Sequence, residues 1–230
     1  MRGAERLSDE GQAMTLRREA GRPVRPCGRL ARVLDVTLGS LLLILILPVL
    51  LVIVILIRID SDGPALFRQR RVGESRREFT LFKFRTMVQG GDDSRHREQI
   101  AREIQGEDTS VGGSWKLDDD PRVTGIGDFL RRTSIDELPQ LINVVRGDMT
   151  LVGPRPCLPW EADIFPPRYR GRFAVRPGLT GLWQVSGRST MGTLEMLELD
   201  LRYVDTRTPT TDLKILIRTV PALLRDGSSR

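Results

Sequence analysis

The chain has 230 residues, of which 40% are hydrophobic, enough for one folded domain plus a short accessory segment. Its net charge of +6 comes almost wholly from arginine, since lysine occurs only at Lys83, Lys116 and Lys214. With 5% aromatics and no nucleic-acid motif, base stacking is a poor reading, whereas arginine's planar fork suits phosphate groups and anionic lipid. The two cysteines, Cys27 and Cys157, lie far apart, and His96 is the single histidine. That excludes a zinc site and a disulfide framework and fits a reduced, cytosol-facing domain.

In chain order, residues 1–28 are polar with scattered Gly, Pro and Arg, and read as a disordered basic tail. Leu38 to Ile57 is an uncharged apolar run of 20 residues, about one bilayer core as a helix. Pro48 interrupts it, and arginines flank both ends: Arg22, Arg25, Arg29 and Arg32 before, Arg58, Arg68, Arg70 and Arg71 after. The positive-inside rule draws both flanks to the cytoplasm. A helix over 29–58 that enters, bends at Pro48 and leaves on the same face satisfies both flanks, with a true span as the alternative.

Residues 59–230 then form the soluble body. Ala65–Arg70 and Glu78–Arg85 read as short strands with a turn near Gly73, Gly90–Gln105 as a surface helix, and Gly106–Asp120 as loop. Phe129–Arg146 is the clearest helix, with Leu138, Leu141, Ile142 and Val145 on one face and Gly147 as its stop. Glu195–Tyr203 is helical. Leu213, Leu216, Ile217, Val220, Leu223 and Leu224 form a last apolar stripe, read first as a core face and second as a membrane-surface face. The fold class is α/β, α-rich with little sheet.

Chemistry centres on Asp136 and Glu137. Pro139 is tolerated only in a first helical turn, so a helix should start near Asp136. A helix N-terminus favours negative charge, which would lower the carboxylate pKa and keep Asp136 ionised. An ionised carboxylate can attack phosphorus, and its neighbour can hold Mg²⁺ or handle a proton. Helix capping by Asp136, or a capping box from Ser134 to Glu137, explains the same residues. Several arginines sit on stiff turns: Arg131 and Arg132 before the pair, Arg155 in Gly153-Pro154-Arg155-Pro156, Arg176 before Pro177-Gly178, and Arg188 after Ser186-Gly187. Lys83 and Arg85 flank Phe84. Together they suggest a diphosphate site.

These stretches, in order, resemble the bacterial sugar transferases, the monotopic phosphoglycosyl transferases of minimal form. The likeness covers roughly residues 30–220. It rests on Phe67-Arg68-Gln69 with Arg71-Val72-Gly73, Lys83–Met87, Asp120-Pro121-Arg122-Val123-Thr124, Thr133–Gln140 to Gly147-Asp148-Met149, Leu151–Pro156, and Arg176–Gly181 through Gln184 to Gly187-Arg188. The resemblance implies transfer of a sugar-1-phosphate from a UDP-sugar to polyprenyl phosphate, with UMP released and glycan assembly primed. It assigns Asp136 as the nucleophile forming a covalent sugar-phosphate, and Glu137 as Mg²⁺ ligand or proton handler. Lys83, Arg85, Arg131, Arg155, Arg176, Gln184 and Arg188 become phosphate or nucleotide contacts. It also implies a re-entrant helix kinked at Pro48, surface amphipathic helices, and a body on the cytoplasmic face of the bacterial inner membrane. Membrane lipids are partners, nucleic acid is not, and a homo-oligomer is left open. Asp118-Asp119-Asp120, Gly125 and Asp128 depart from the family's more basic pattern, which bears on sugar preference. A membrane-tethered interaction protein of the same fold, without catalysis, is the competing reading.

Overall fold

The computed structural model describes residues 28–88, 94–110, 115, 122–187 and 190–226. Residues 1–27 of the expected tail lie outside them, as do Arg188 and the acidic run 118–120. Helix α1 (Arg29–Asp60) is followed by the antiparallel hairpin of β1 (Leu66–Val72) and β2 (Glu78–Phe84), paired from Leu66↔Phe84 to Val72↔Glu78. Then come α2 (Ser94–Ile104), α3 (Gly125–Thr133), a 3₁₀ turn (Ile135–Gln140), α4 (Leu141–Arg146) and β3 (Thr150–Val152). After these lie α5 (Pro159–Ile164), a 3₁₀ segment (Pro167–Ala174), β4 (Gly178–Thr180), α6 (Leu182–Ser186), α7 (Thr193–Thr206) and α8 (Pro209–Asp226). β3 pairs with β4 in parallel. The architecture is therefore helix-rich α/β with two small two-stranded sheets.

Helix α1 is long and apolar enough to cross a membrane, and most of its apolar side chains are exposed. Pro48 lies inside the helix and does not end it. Both ends are fastened to the same body. Near the start, Arg32 donates to the carbonyls of Val144 and Val145 at 2.7 and 2.9 Å. One turn on, the buried Asp35 carboxylate accepts from Thr150 Oγ1 at 2.7 Å and Leu151 N at 3.1 Å. At the far end Leu50, Ile53 and Ile57 share a core with Ala65, Phe84 and Leu130.

The expected helix over Phe129–Arg146 is in fact three pieces. Ser134 adopts φ 55°, ψ 18° and closes α3. The chain then runs as 3₁₀ turn to Gln140, and regular α-helix starts only at Leu141. A 3₁₀ turn advances about 120° per residue instead of 100°, so the apolar phase slips. The side chains buried in α4 are Leu141, Asn143 and Val144; Ile142 and Val145 are half-buried. Asn143 is buried because it works as a hook: Nδ2 donates to Thr80 O at 2.7 Å, and Oδ1 accepts from Phe82 N at 3.1 Å. Gly147, at φ 98°, stops the helix as anticipated.

The stripe on α8 also differs from the first expectation. Ile215 is the residue that goes into the core, beside Val152 and Tyr203, while Leu213, Ile217 and Val220 are exposed. An apolar stripe that could pack either way is decided by what lies beneath it, and here the body is already filled from Ile215's side.

Candidate active site

Asp136 and Glu137 stand at the head of the 3₁₀ turn, directly after the left-handed Ser134. Pro139 lies inside this turn, after the Glu137 N–H has donated to Ser134 O at 3.2 Å, and two residues before regular α-helix begins at Leu141. The capping box does not form: Ser134 makes no side-chain cap bond, and Glu137 instead accepts from Arg155 Nη1 at 3.2 Å.

Asp136 is only 8% exposed. Burial, with Glu137 adding to it, pushes its pKa up to about 6, while Lys83, Arg155 and Arg131 pull the other way. This reverses the expectation of a lowered pKa. The turn is too short and irregular for a strong dipole, and loss of water outweighs it. A carboxylate titrating near 6 is ionised at neutral pH yet more basic than an ordinary aspartate, which makes it a better nucleophile and proton acceptor.

Beside the pair lies an open cleft lined by Arg71, Lys83, Glu137, Arg155 and Gln184 among others. The hairpin supplies two of these cations. Because strand side chains alternate, Arg71 and Lys83 share one face of it. Lys83 is pulled down by burial and held up by Asp136 and Glu137, with its ammonium 5.3 Å from the centre of the Phe67 ring. Arg71 is lowered by burial and raised by Glu161. Arg155 comes from the loop after β3, and Glu137 is the main reason its pKa is raised. The loop approaches β4 closely: a Cβ on Gly153 or Gly178 would strike the backbone of the facing segment. Gln184, on α6, donates Nε2 to Leu179 O at 3.1 Å, and its buried Oε1 has no hydrogen-bond partner among the described residues.

The structure thus gathers Asp136, Glu137, Lys83, Arg155 and Gln184, with Arg131 close enough to act on Asp136 electrostatically. It does not bring Arg85 or Arg176 to the cleft. Arg85 is buried at the end of α1, donating to the carbonyls of Ile57, Ser61 and Asp62 and to Ser61 Oγ. It satisfies carbonyls that a helix C-terminus leaves open. Arg176 points to the hairpin turn, donating Nε to Glu74 at 3.3 Å. Arg71 and Gln140 line the cleft without having been singled out as binding residues. Strand alternation with Lys83 is the signal that finds Arg71; Gln140 has none beyond its place after Pro139.

The oxygen-rich edge of the cleft fits a hard cation. Glu137 lines it, the buried Asp136 is its neighbour along the chain, and among the described lining residues there is no histidine or cysteine. Among the described residues no group of three or more metal-ligating side chains converges, so phosphate and water would have to complete an octahedral shell, as Mg²⁺ commonly requires.

Comparisons with known proteins agree on one family. A family model described as bacterial sugar transferase matches residues 28–226. The exopolysaccharide production protein ExoY of Rhizobium meliloti is 38% identical over 205 residues, covering 87% of this chain and 88% of the relative. A UDP-glucose:undecaprenyl-phosphate glucose-1-phosphate transferase of Caulobacter vibrioides is 41% identical over 233 residues, covering 95% and 78%. The undecaprenyl-phosphate galactose phosphotransferase of Salmonella typhimurium is 35% identical over 222 residues, covering 94% of this chain but 45% of that longer protein.

Proposed function

The chain belongs to the bacterial sugar transferase family, and we propose that it moves a sugar-1-phosphate from a UDP-sugar to a polyprenyl phosphate of undecaprenyl type, priming glycan assembly. The observation that carries this reading is the buried Asp136, titrating near 6 beside a cleft with three cations, Arg71, Lys83 and Arg155.

Asp136 attacks the sugar-bearing phosphorus. The bond to the bridging oxygen breaks, and UMP leaves with the electron pair. The sugar-phosphate stays on Asp136 as an acyl phosphate. A polyprenyl-phosphate oxygen then attacks the same phosphorus, and the aspartate departs as a carboxylate, ready for another cycle. Arg155, Lys83 and Arg71 offset charge on the diphosphate as it separates. Glu137 holds Arg155 in place and, with Asp136, offers oxygens to Mg²⁺. The ion, when bound, neutralises phosphate charge and improves UMP as a leaving group.

The acceptor's phosphate lies at the membrane surface, so the cleft has to work there. Attachment of both ends of α1 to one body supports a re-entrant helix bent at Pro48, with the body on the cytoplasmic face of the inner membrane. The exposed Leu213, Ile217 and Val220 of α8, beside the exposed Lys214 and Arg218, suit a second contact with lipid and its headgroups.

The test is incubation of the full chain with a panel of UDP-sugars and Mg²⁺. UMP release, an increase in protein mass equal to one sugar-phosphate, and passage of that group to added polyprenyl phosphate are expected. No UMP with any sugar would overturn the reading in favour of a non-catalytic tether.

A further inference from the structure

Arg155 meets Glu137 with its side chain, but its backbone is held from behind. Three successive carbonyls each accept a bond from outside the loop. Arg172 Nη2 donates to Arg155 O at 2.7 Å, Arg71 Nη1 to Pro156 O at 3.2 Å, and Val72 N to Cys157 O at 2.9 Å. Pro154 and Pro156 restrict the backbone on either side.

The first of these bonds has an unusual source. Arg172 lies in the 3₁₀ segment Pro167–Ala174, and the Nη2 that reaches Arg155 O also sits 2.6 Å from Asp200 Oδ2, with Nε at 3.1 Å from the same oxygen. The side chains are 2% and 1% exposed. The rings of Phe165 and Phe173 lie 5.2 and 5.4 Å from the guanidinium. A buried ion pair is often no more stabilising than well-packed apolar residues of the same volume. Stability therefore gives little reason for this pair. A guanidinium, by contrast, can bind a carboxylate and still aim an N–H at a carbonyl in a fixed direction, which no apolar residue does.

We propose that Arg172 and Asp200 are positioning residues for Arg155: Asp200 orients Arg172, and Arg172 holds the Arg155 carbonyl so that the guanidinium meets Glu137 and the diphosphate. Neither residue lines the cleft. The kinetic consequence rests on the phosphotransfer reading above; the structural consequence does not.

The test compares the full chain in detergent with Arg172→Met/Asp200→Leu, with Arg155→Ala, and with all three substitutions together. The apolar pair avoids leaving one charge buried alone. Its thermal midpoint is expected to stay close to wild type. Its kcat for UMP release should fall about 10- to 100-fold, as small misplacements of a phosphate-binding group do. Amide hydrogens of Gly153, Arg155, Cys157 and Leu158 should exchange faster, with α7 unchanged. In the Arg155→Ala background the same pair should cost less than about twofold, because residues acting through one another are not additive. A kcat within about twofold of wild type, or a full additive loss without Arg155, would overturn the inference. Should the apolar pair fail to fold, Arg172→Lys keeps the charge opposite Asp200 but loses the planar fork, and the same criteria apply to it. If the wild-type chain releases no UMP, the transferase reading falls, and unchanged exchange at those amides in the pair variant would remove the positioning role independently.

Discussion

Two arginine–carboxylate pairs lie on either side of one peptide group. Arg155–Glu137 is 3.2 Å long, with side chains 39% and 22% exposed, and opens on the cleft. Arg172–Asp200 is 2.6 Å long and shut away from solvent. The open pair can exchange partners with a diphosphate or a metal ion at small cost, because water remains available to it. The closed pair cannot, since either member left alone would be a buried charge. Under the proposed function one type of contact then serves two purposes: adaptable where substrate enters, inflexible where the loop is held. Arg155 joins them, with its side chain in one and its carbonyl accepting from the other.

The comparison is sharpened first at Asp136, the proposed nucleophile. Asp136→Asn should reduce UMP release by on the order of 10³-fold or more, as loss of a covalent nucleophile does, and abolish the mass increase. The same change separates activity from stability. Asp136 has a folded pKa of about 6, above the roughly 3.9 of an unfolded aspartate. The folded state therefore gains from its protonation: the gain is full below about pH 4 and is lost as pH rises through about 6. Asp136→Asn should raise the urea midpoint at pH 7 and leave it unchanged at pH 3.

Breaking the closed pair from one side comes next. Arg172→Ala strands the Asp200 charge and should cost about 3–5 kcal/mol in urea unfolding. Breaking the open pair with Arg155→Ala should lower UMP release by about 10²- to 10³-fold, comparable to losing one oxyanion donor, while changing stability by less than about 1 kcal/mol. If the two stability effects proved equal, the contrast between open and closed pairs would fail.

Smaller effects concern pH. UMP release should fall about tenfold per unit below pH 6, since in the proposed mechanism only ionised Asp136 attacks. Glu137 is the second cause of that raised pKa, so Glu137→Gln should move the acid limb of the pH–rate profile to lower pH, by about one unit or less. An acid limb that moves upward would mean that Glu137 acts mainly through Arg155.

Much of the cleft was legible along the chain because its parts are local. Pro139 and Gly147 bound the turn and helix after Asp136, and Gly153-Pro154-Arg155-Pro156 forms the stiff loop. What was not legible depends on contacts between distant segments. Arg176 and Arg155 both sit beside turn residues, yet one reaches Glu74 at the hairpin turn and the other enters the cleft. Arg172 carries no local mark at all; only the approach of α7 gives it a partner.

The residue order alone determined the apolar length of α1, the adjacency of Asp136 and Glu137, and a surplus of arginine on stiff turns. These follow from spacing and from the backbone limits of proline and glycine, which act over a few residues. The tertiary structure decided the direction in which Asp136 titrates, which cations face it, and which side of α8 remains exposed. Desolvation is the reason. Whether a charge loses its water, or an apolar face meets a partner, depends on segments tens of residues away, and no short stretch of sequence records where they will pack.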